Sequence, residues 1–205
     1  MLYGGFYMKD YVLNYVKENF KIIKILTACI LIGIFVGIIV YQASSVEIKN
    51  EFVTSIKETL DISKTEQYEG INVLKNGILL NLLVVLSIYA ASITLIAPIC
   101  VCALNFIKGV SIGIYISTLF SVFGFGKGIM CLILVVILPN LIYIPAYIYM
   151  GCNSINLHYK LVENDNKFSI VLKEVYKLII AISLIVLSIV IEQFASFGAI
   201  GMYIT

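Results

Sequence analysis

Charge, arginine and histidine are scarce in this chain. Only 13% of its 205 residues are charged, where an ordinary globular domain carries about 25%. All 14 basic residues are lysines, and His158 is the lone histidine. The net charge of +2, without a basic stripe interleaved with aromatics, argues against nucleic-acid binding. HExxH, GxSxG and Walker A motifs are absent, and no pair of aspartates lies inside an apolar run. One histidine, read as sitting in a loop, leaves Ser/His or Cys/His catalysis without support. The chain is therefore expected to lack catalysis of its own. Four of the five cysteines, Cys29, Cys100, Cys102 and Cys131, fall inside apolar runs, and Cys152 lies just past one. Cys100 and Cys102 do not form a CxxC pair. They read as small core residues, so no metal and no cofactor is expected.

What the chain has instead is apolar length. Hydrophobic residues make up 61% of it, and mean hydropathy is +1.03. A bilayer core of about 30 Å takes roughly 20 apolar residues as a helix. Runs at 22–42, 77–104, 105–124, 128–150 and 175–191 meet or approach that length. Lipid offers the backbone no hydrogen bonds, so such runs must be helices. The expectation is an all-α, polytopic helix bundle of about five spans forming one membrane domain over 1–205.

Lysines orient membrane proteins by staying cytoplasmic. With the N-terminus inside and the C-terminus outside, nine lysines fall on the inner side and five on the outer. The third run is the shortest of the crossings unless 105–108 join it, with Lys108 snorkelling to the interface. The alternative is a re-entrant half-helix, which would move the C-terminus inside. Residues 1–21 form a cytoplasmic segment in which Leu13, Val16 and Phe20 recur at helical spacing. It is either a helix on the inner membrane face or an extension of the first span, which reads as a retained signal anchor. Met8 is an alternative start.

The outer loop 43–75 is the one sizeable aqueous segment on the outer side. Ile48, Phe52, Ile56 and Leu60 recur every four residues with charges between them, which predicts an amphipathic helix. Its apolar face either packs on the spans or forms a partner face. The connector 152–177 is rich in asparagine and reads as a turn-rich loop.

Some residues stand out within the runs. Gly33 and Gly37 form one GxxxG, and Gly109 and Gly113 another. Such pairs let helix backbones approach closely, within the chain or across a homodimer. Pro98 lies deep in the second run. Pro139 and Pro145 flank Asn140 in the fourth, and each removes a backbone donor. They should bend or break that helix, giving either a packing kink or a wet site. Glu192 ends the last run near the outer interface, with Lys127 and Lys75 as candidate partners. An ionisable group in a bilayer points to function.

Together these residues resemble a known family. Asn81-Leu82, then Pro98, then Lys108-Gly109 through Gly113 look like the "N-L … P … K-G-x-x-x-G" core of the stage II sporulation protein M family. Leu138-Pro139-Asn140 through Pro145-Ala146, and Ile191-Glu192-Gln193-Phe194, resemble its later elements. Asn140 stands where many members have histidine, so no role is carried over to it. The resemblance implies a non-catalytic scaffold in endospore formation. It would anchor a peptidoglycan-degrading engulfment complex, with stage II sporulation proteins D and P as partners, in the mother-cell septal or engulfing membrane. A different class also fits the residues: a small permease, or the membrane subunit of an ATP-driven exporter.

Overall fold

A computed structural model describes the backbone of residues 12–65, 67–94, 96–164 and 166–204. Side chains are described within these ranges except at 58–77, 80, 193 and 195–204. After a short helical stretch at 12–18 come α1 (Phe20–Ala43), α2 (Val46–Thr65), α3 (Gln67–Ala91) and α4 (Ala97–Cys131). A π-helical segment (Leu132–Ile137) leads directly into α5 (Leu138–Glu163), and α6 (Lys167–Ile204) closes the chain. The described residues contain no strand, so the fold is an all-α membrane helix bundle. Its outward-facing residues are apolar, among them Phe35, Ile99, Leu141 and Phe168. That is the surface a helix shows to lipid rather than to water.

α1 and α4 run parallel and touch backbone to backbone. A β-carbon on Gly33 would strike the Phe106 carbonyl and lie 3.0 Å from Gly109 Cα. Gly37 meets the Val110 backbone, and Gly113 meets that of Ile34. The two GxxxG pairs therefore face each other within one chain. Further along, the Tyr41 hydroxyl bonds Ser121 Oγ at 2.9 Å. A second core joins α1, α3, α5 and α6 through Leu26, Val85, Ile88, Tyr147, Met150 and Ile185.

Several expected boundaries move. The run 77–104 is not one helix: the chain turns at 92–96, through Ser92 N–H to Tyr89 O and Thr94 N–H to Ala91 O. Pro98 then lies in the first turn of α4, where a missing N–H costs nothing. It starts a helix rather than bending one. Residues 97–123 thus give one helix of about 40 Å, long enough to cross without a re-entrant half-helix. Gly124, with φ 70 and ψ −177, reverses the chain. The proline pair does not break the fourth helix either. The widened π turn ends before Pro139, and Asn140 Nδ2 donates to Val136 O at 2.8 Å. Pro145 sits within a continuing helix.

The connector 152–177 is mostly helix, with only 164–166 between α5 and α6. Asn153 and Asn156 find partners on the leading segment rather than making turns, while Asn164 and Asn166 flank the break between α5 and α6. Asn156 Nδ2 donates to Asn19 Oδ1 at 2.6 Å, and the Tyr15 hydroxyl to Asn153 Oδ1 at 3.1 Å. Tyr15 also packs on Tyr149. The part of the leading segment before residue 12 lies outside the described residues. His158 is buried in α5, not in a loop, with Nδ1 3.2 Å from Ser92 O.

Helix α2 forms as its spacing predicts. Ile56 packs on the cluster of Ile112, Leu119 and Val136, and the Phe52 ring lies 6.3 Å from that of Tyr41. Ile48 is exposed, as is Val46. Leu60 lies outside the described side chains. The expected partner face is therefore split, with Ile56 turned to the bundle and Ile48 turned away.

Candidate functional site

The first helix carries no charge between Lys24 and Gln42. Gly33 is at the middle of that stretch, and it packs on Gly109. Lys108, the neighbour of Gly109, is therefore held near mid-bilayer, roughly 16 Å along α4. The run 105–124 places Lys108 near a helix end; α4 begins at Ala97, so Lys108 lies about three turns inside it.

The glycine face of α4 is taken up by α1. The adjacent face presents Lys108, Ser111, Ile112 and Tyr115 to a cavity of about 360 Å³. Its other walls are Val135 and Val136 of the π-helical segment, Pro139, Asn140 and Tyr143 of α5, and Glu192 of α6. π turns inside helices concentrate at functional sites.

Three sets of electrostatic contacts organise this cavity. The Lys108 ammonium lies 4.2 Å from the centroid of the Tyr143 ring, a cation–π contact strengthened where water is excluded. The Tyr143 hydroxyl donates to Asn81 Oδ1 of α3 at 2.8 Å. The charges of Lys108 and Glu192 act on each other, and Glu192 is also felt at Tyr115 and Tyr143. Opposite charges facing one low-dielectric space lower the cost of having either there. Lys108 is half-buried, whereas Glu192 and Ser111 are exposed and form the mouth.

Of the family-pattern residues, Asn81, Lys108, Pro139, Asn140 and Glu192 converge here. Gly109 and Gly113 fix the depth of the site from the reverse face of α4. Pro98 and Pro145 lie apart from it, the first starting α4 and the second exposed on α5. Across the cavity Glu192 faces Lys108, while Lys127 is exposed past the Gly124 turn. The side chain of Lys75 lies outside the described ones. Tyr143, Tyr115 and Ser111 were missed in the sequence. Tyr143 lies between two prolines that drew attention for their backbones, and nothing local shows that its ring carries a lysine from another helix.

The stage II sporulation protein M family model matches residues 26–197. The chain belongs to the stage II sporulation protein M family. The matched region holds α2 to α5 whole, most of α1 and α6, and the ten described residues around the cavity. Comparison with curated proteins and with solved structures gave no match. The protein is thus a sporulation-family membrane protein with a polar cavity within its helix bundle.

A second cluster lies at the opposite end of α5. Glu174 bridges Lys160 and Lys177, the latter at 2.6 Å. Beside it a cavity of about 660 Å³ is lined by Tyr15, Asn19, Asn156, Tyr159 and Tyr176 among others. Tyrosines and lysines at a helix end suit a membrane–water boundary.

Proposed function

We propose that this protein is a non-catalytic membrane scaffold for the peptidoglycan-degrading complex of engulfment. It resides in the mother-cell septal and engulfing membrane, N-terminus inside, and holds stage II sporulation proteins D and P. The hydrolytic chemistry belongs to those partners. The observation that carries this reading is the family match over 26–197, which takes in the bundle and its cavity together. The test is co-purification of a tagged chain from crosslinked membranes of sporulating cells. Recovery of both hydrolases is expected. Their absence from a preparation rich in the tagged chain would remove the scaffold.

Helix α2 offers one docking surface. Because Ile56 packs inward, substituting it would disturb the bundle itself. The discriminating changes are Val46→Asp and Ile48→Asp, at exposed positions. They should release the hydrolases while the chain stays in the membrane; full retention would take α2 out of the account.

The cavity favours one further reading, a small permease or the membrane subunit of an ATP-driven exporter. Recovery of an ATPase without hydrolases, with solute flux in vesicles, would select it.

A further inference from the structure

The mouth of the Lys108–Glu192 cavity lies at a depth that restricts its occupants. It opens between Ser111 and Glu192, both exposed. Around it the bundle shows lipid-facing residues such as Ile107, 57% exposed, and Leu187, 49% exposed. Left against acyl chains, a polar mouth at mid-bilayer costs several kcal/mol. A lipid headgroup would have to leave the interface and enter the hydrocarbon to reach it. A membrane-spanning helix presents side chains at this depth by construction.

The charge of the site narrows the guest further. Among the described lining residues Lys108 and Glu192 carry one charge of each sign, so a charged guest would meet a like charge as well as an opposite one, in a space that penalises any added charge. An uncharged hydrogen-bonding side chain has no such penalty. Its donor can reach the Glu192 carboxylate, and its carbonyl can accept from the Tyr115 hydroxyl, since the Ser111 hydroxyl already donates to Ile107 O. Asparagine and glutamine are the side chains of this chemistry, and they hydrogen-bond across helices within membranes. The cavity of about 360 Å³ holds such a side chain with room for its neighbours.

We propose that this cavity is a lateral docking site for a single membrane-spanning helix of a partner, one carrying asparagine or glutamine near its middle. The inference rests on the reading of this protein as a scaffold, and it assigns where within the bilayer a partner is gripped.

The test uses the purified full chain in phosphatidylcholine vesicles with dilute, labelled synthetic helices. The helices are leucine–alanine spans that differ at one central position: Asn, Leu or Lys. Energy transfer to the labelled chain measures association. The Asn helix should associate about three- to tenfold more strongly than the Leu helix, the range expected of one interhelical hydrogen bond. Two variants should abolish that advantage. Ser111→Phe fills the mouth and keeps both charges; Lys108→Met with Glu192→Leu removes both together.

Equal association of the Asn and Leu helices would overturn the proposal. So would an Asn advantage that survives both variants, or a Lys helix that binds better than the Asn helix. An Asn advantage lost on adding phosphatidylethanolamine and phosphatidylglycerol would put a lipid headgroup in the cavity and overturn it too. The probes contain no hydrolase sequence, so this outcome is independent of whether the hydrolases co-purify.

Discussion

The Tyr143 hydroxyl donates to Asn81 Oδ1 at 2.8 Å, tying α5 to α3 in the bundle. The same ring lies under the Lys108 ammonium, so one side chain links three helices. Tyr143→Phe keeps the ring and removes the donor. It should lower stability by about 0.5–2 kcal/mol, the scale of an interhelical bond in a membrane. Tyr143→Leu also removes the cation–π contact and should cost about 0.5–2 kcal/mol more. Unfolding of the purified chain in mixed detergent micelles measures both. Equal loss in the two variants would show that the ring does not hold Lys108.

The glycine pairs give a sharper expectation. Gly33→Leu or Gly109→Leu places carbon atoms where the facing backbone already lies. No flexible side chain is there to yield, so α1 and α4 must separate. The loss should be at the upper end for point mutants, about 4 kcal/mol or more. Cysteines at positions 41 and 121, in a chain lacking its native cysteines, should be joined by a short bismaleimide in the parent. Joining should fail in either leucine variant.

Gly124 is the only described residue with positive φ, at 70. With ψ near 180 that conformation is essentially closed to residues with a β-carbon. Gly124→Ala should cost about 1–3 kcal/mol. Gly126→Ala, where nothing lies within 4 Å of an added β-carbon, should stay within about 0.5 kcal/mol. The same unfolding assay compares them, and equal values would mean the reversal does not depend on Gly124.

Lys108→Met removes the positive charge that faces Glu192 across the cavity. Breaking such a pair costs about 3–5 kcal/mol, whereas neutralising both members often costs little. Membrane levels of the single variant should therefore fall severalfold. Levels should recover in Lys108→Met with Glu192→Gln. Quantitative immunoblotting of membrane fractions reads this, and a double variant no better than the single would dissolve the coupling.

The helices themselves were legible because their cause is local. Apolar length and the absence of backbone partners in lipid require helix at each run. The amphipathic spacing of α2 was equally plain. Boundaries were less so. In the run 77–104 hydrophobicity does not change where the chain turns at 92–96, and a proline can begin a helix as readily as bend one. Asn153 and Asn156 read as turn formers because local composition cannot show that Asn19 and Tyr15 wait on another segment, whereas Asn164 does end α5. The glycine pairs were visible, but not that they meet each other.

The sequence by itself determined an all-helical membrane chain, its amphipathic helix α2, and the glycines, prolines and charged residues that set it in its family. These follow from side-chain polarity and spacing along the chain. Tertiary structure decided the depth of Lys108, since that depends on which residue of α1 faces Gly109. It also decided that Glu192, distant in sequence, faces Lys108 across a cavity. Neither relation is encoded within a window of neighbouring residues; both arise only when close backbone packing of α1 on α4 fixes the register of the remaining helices.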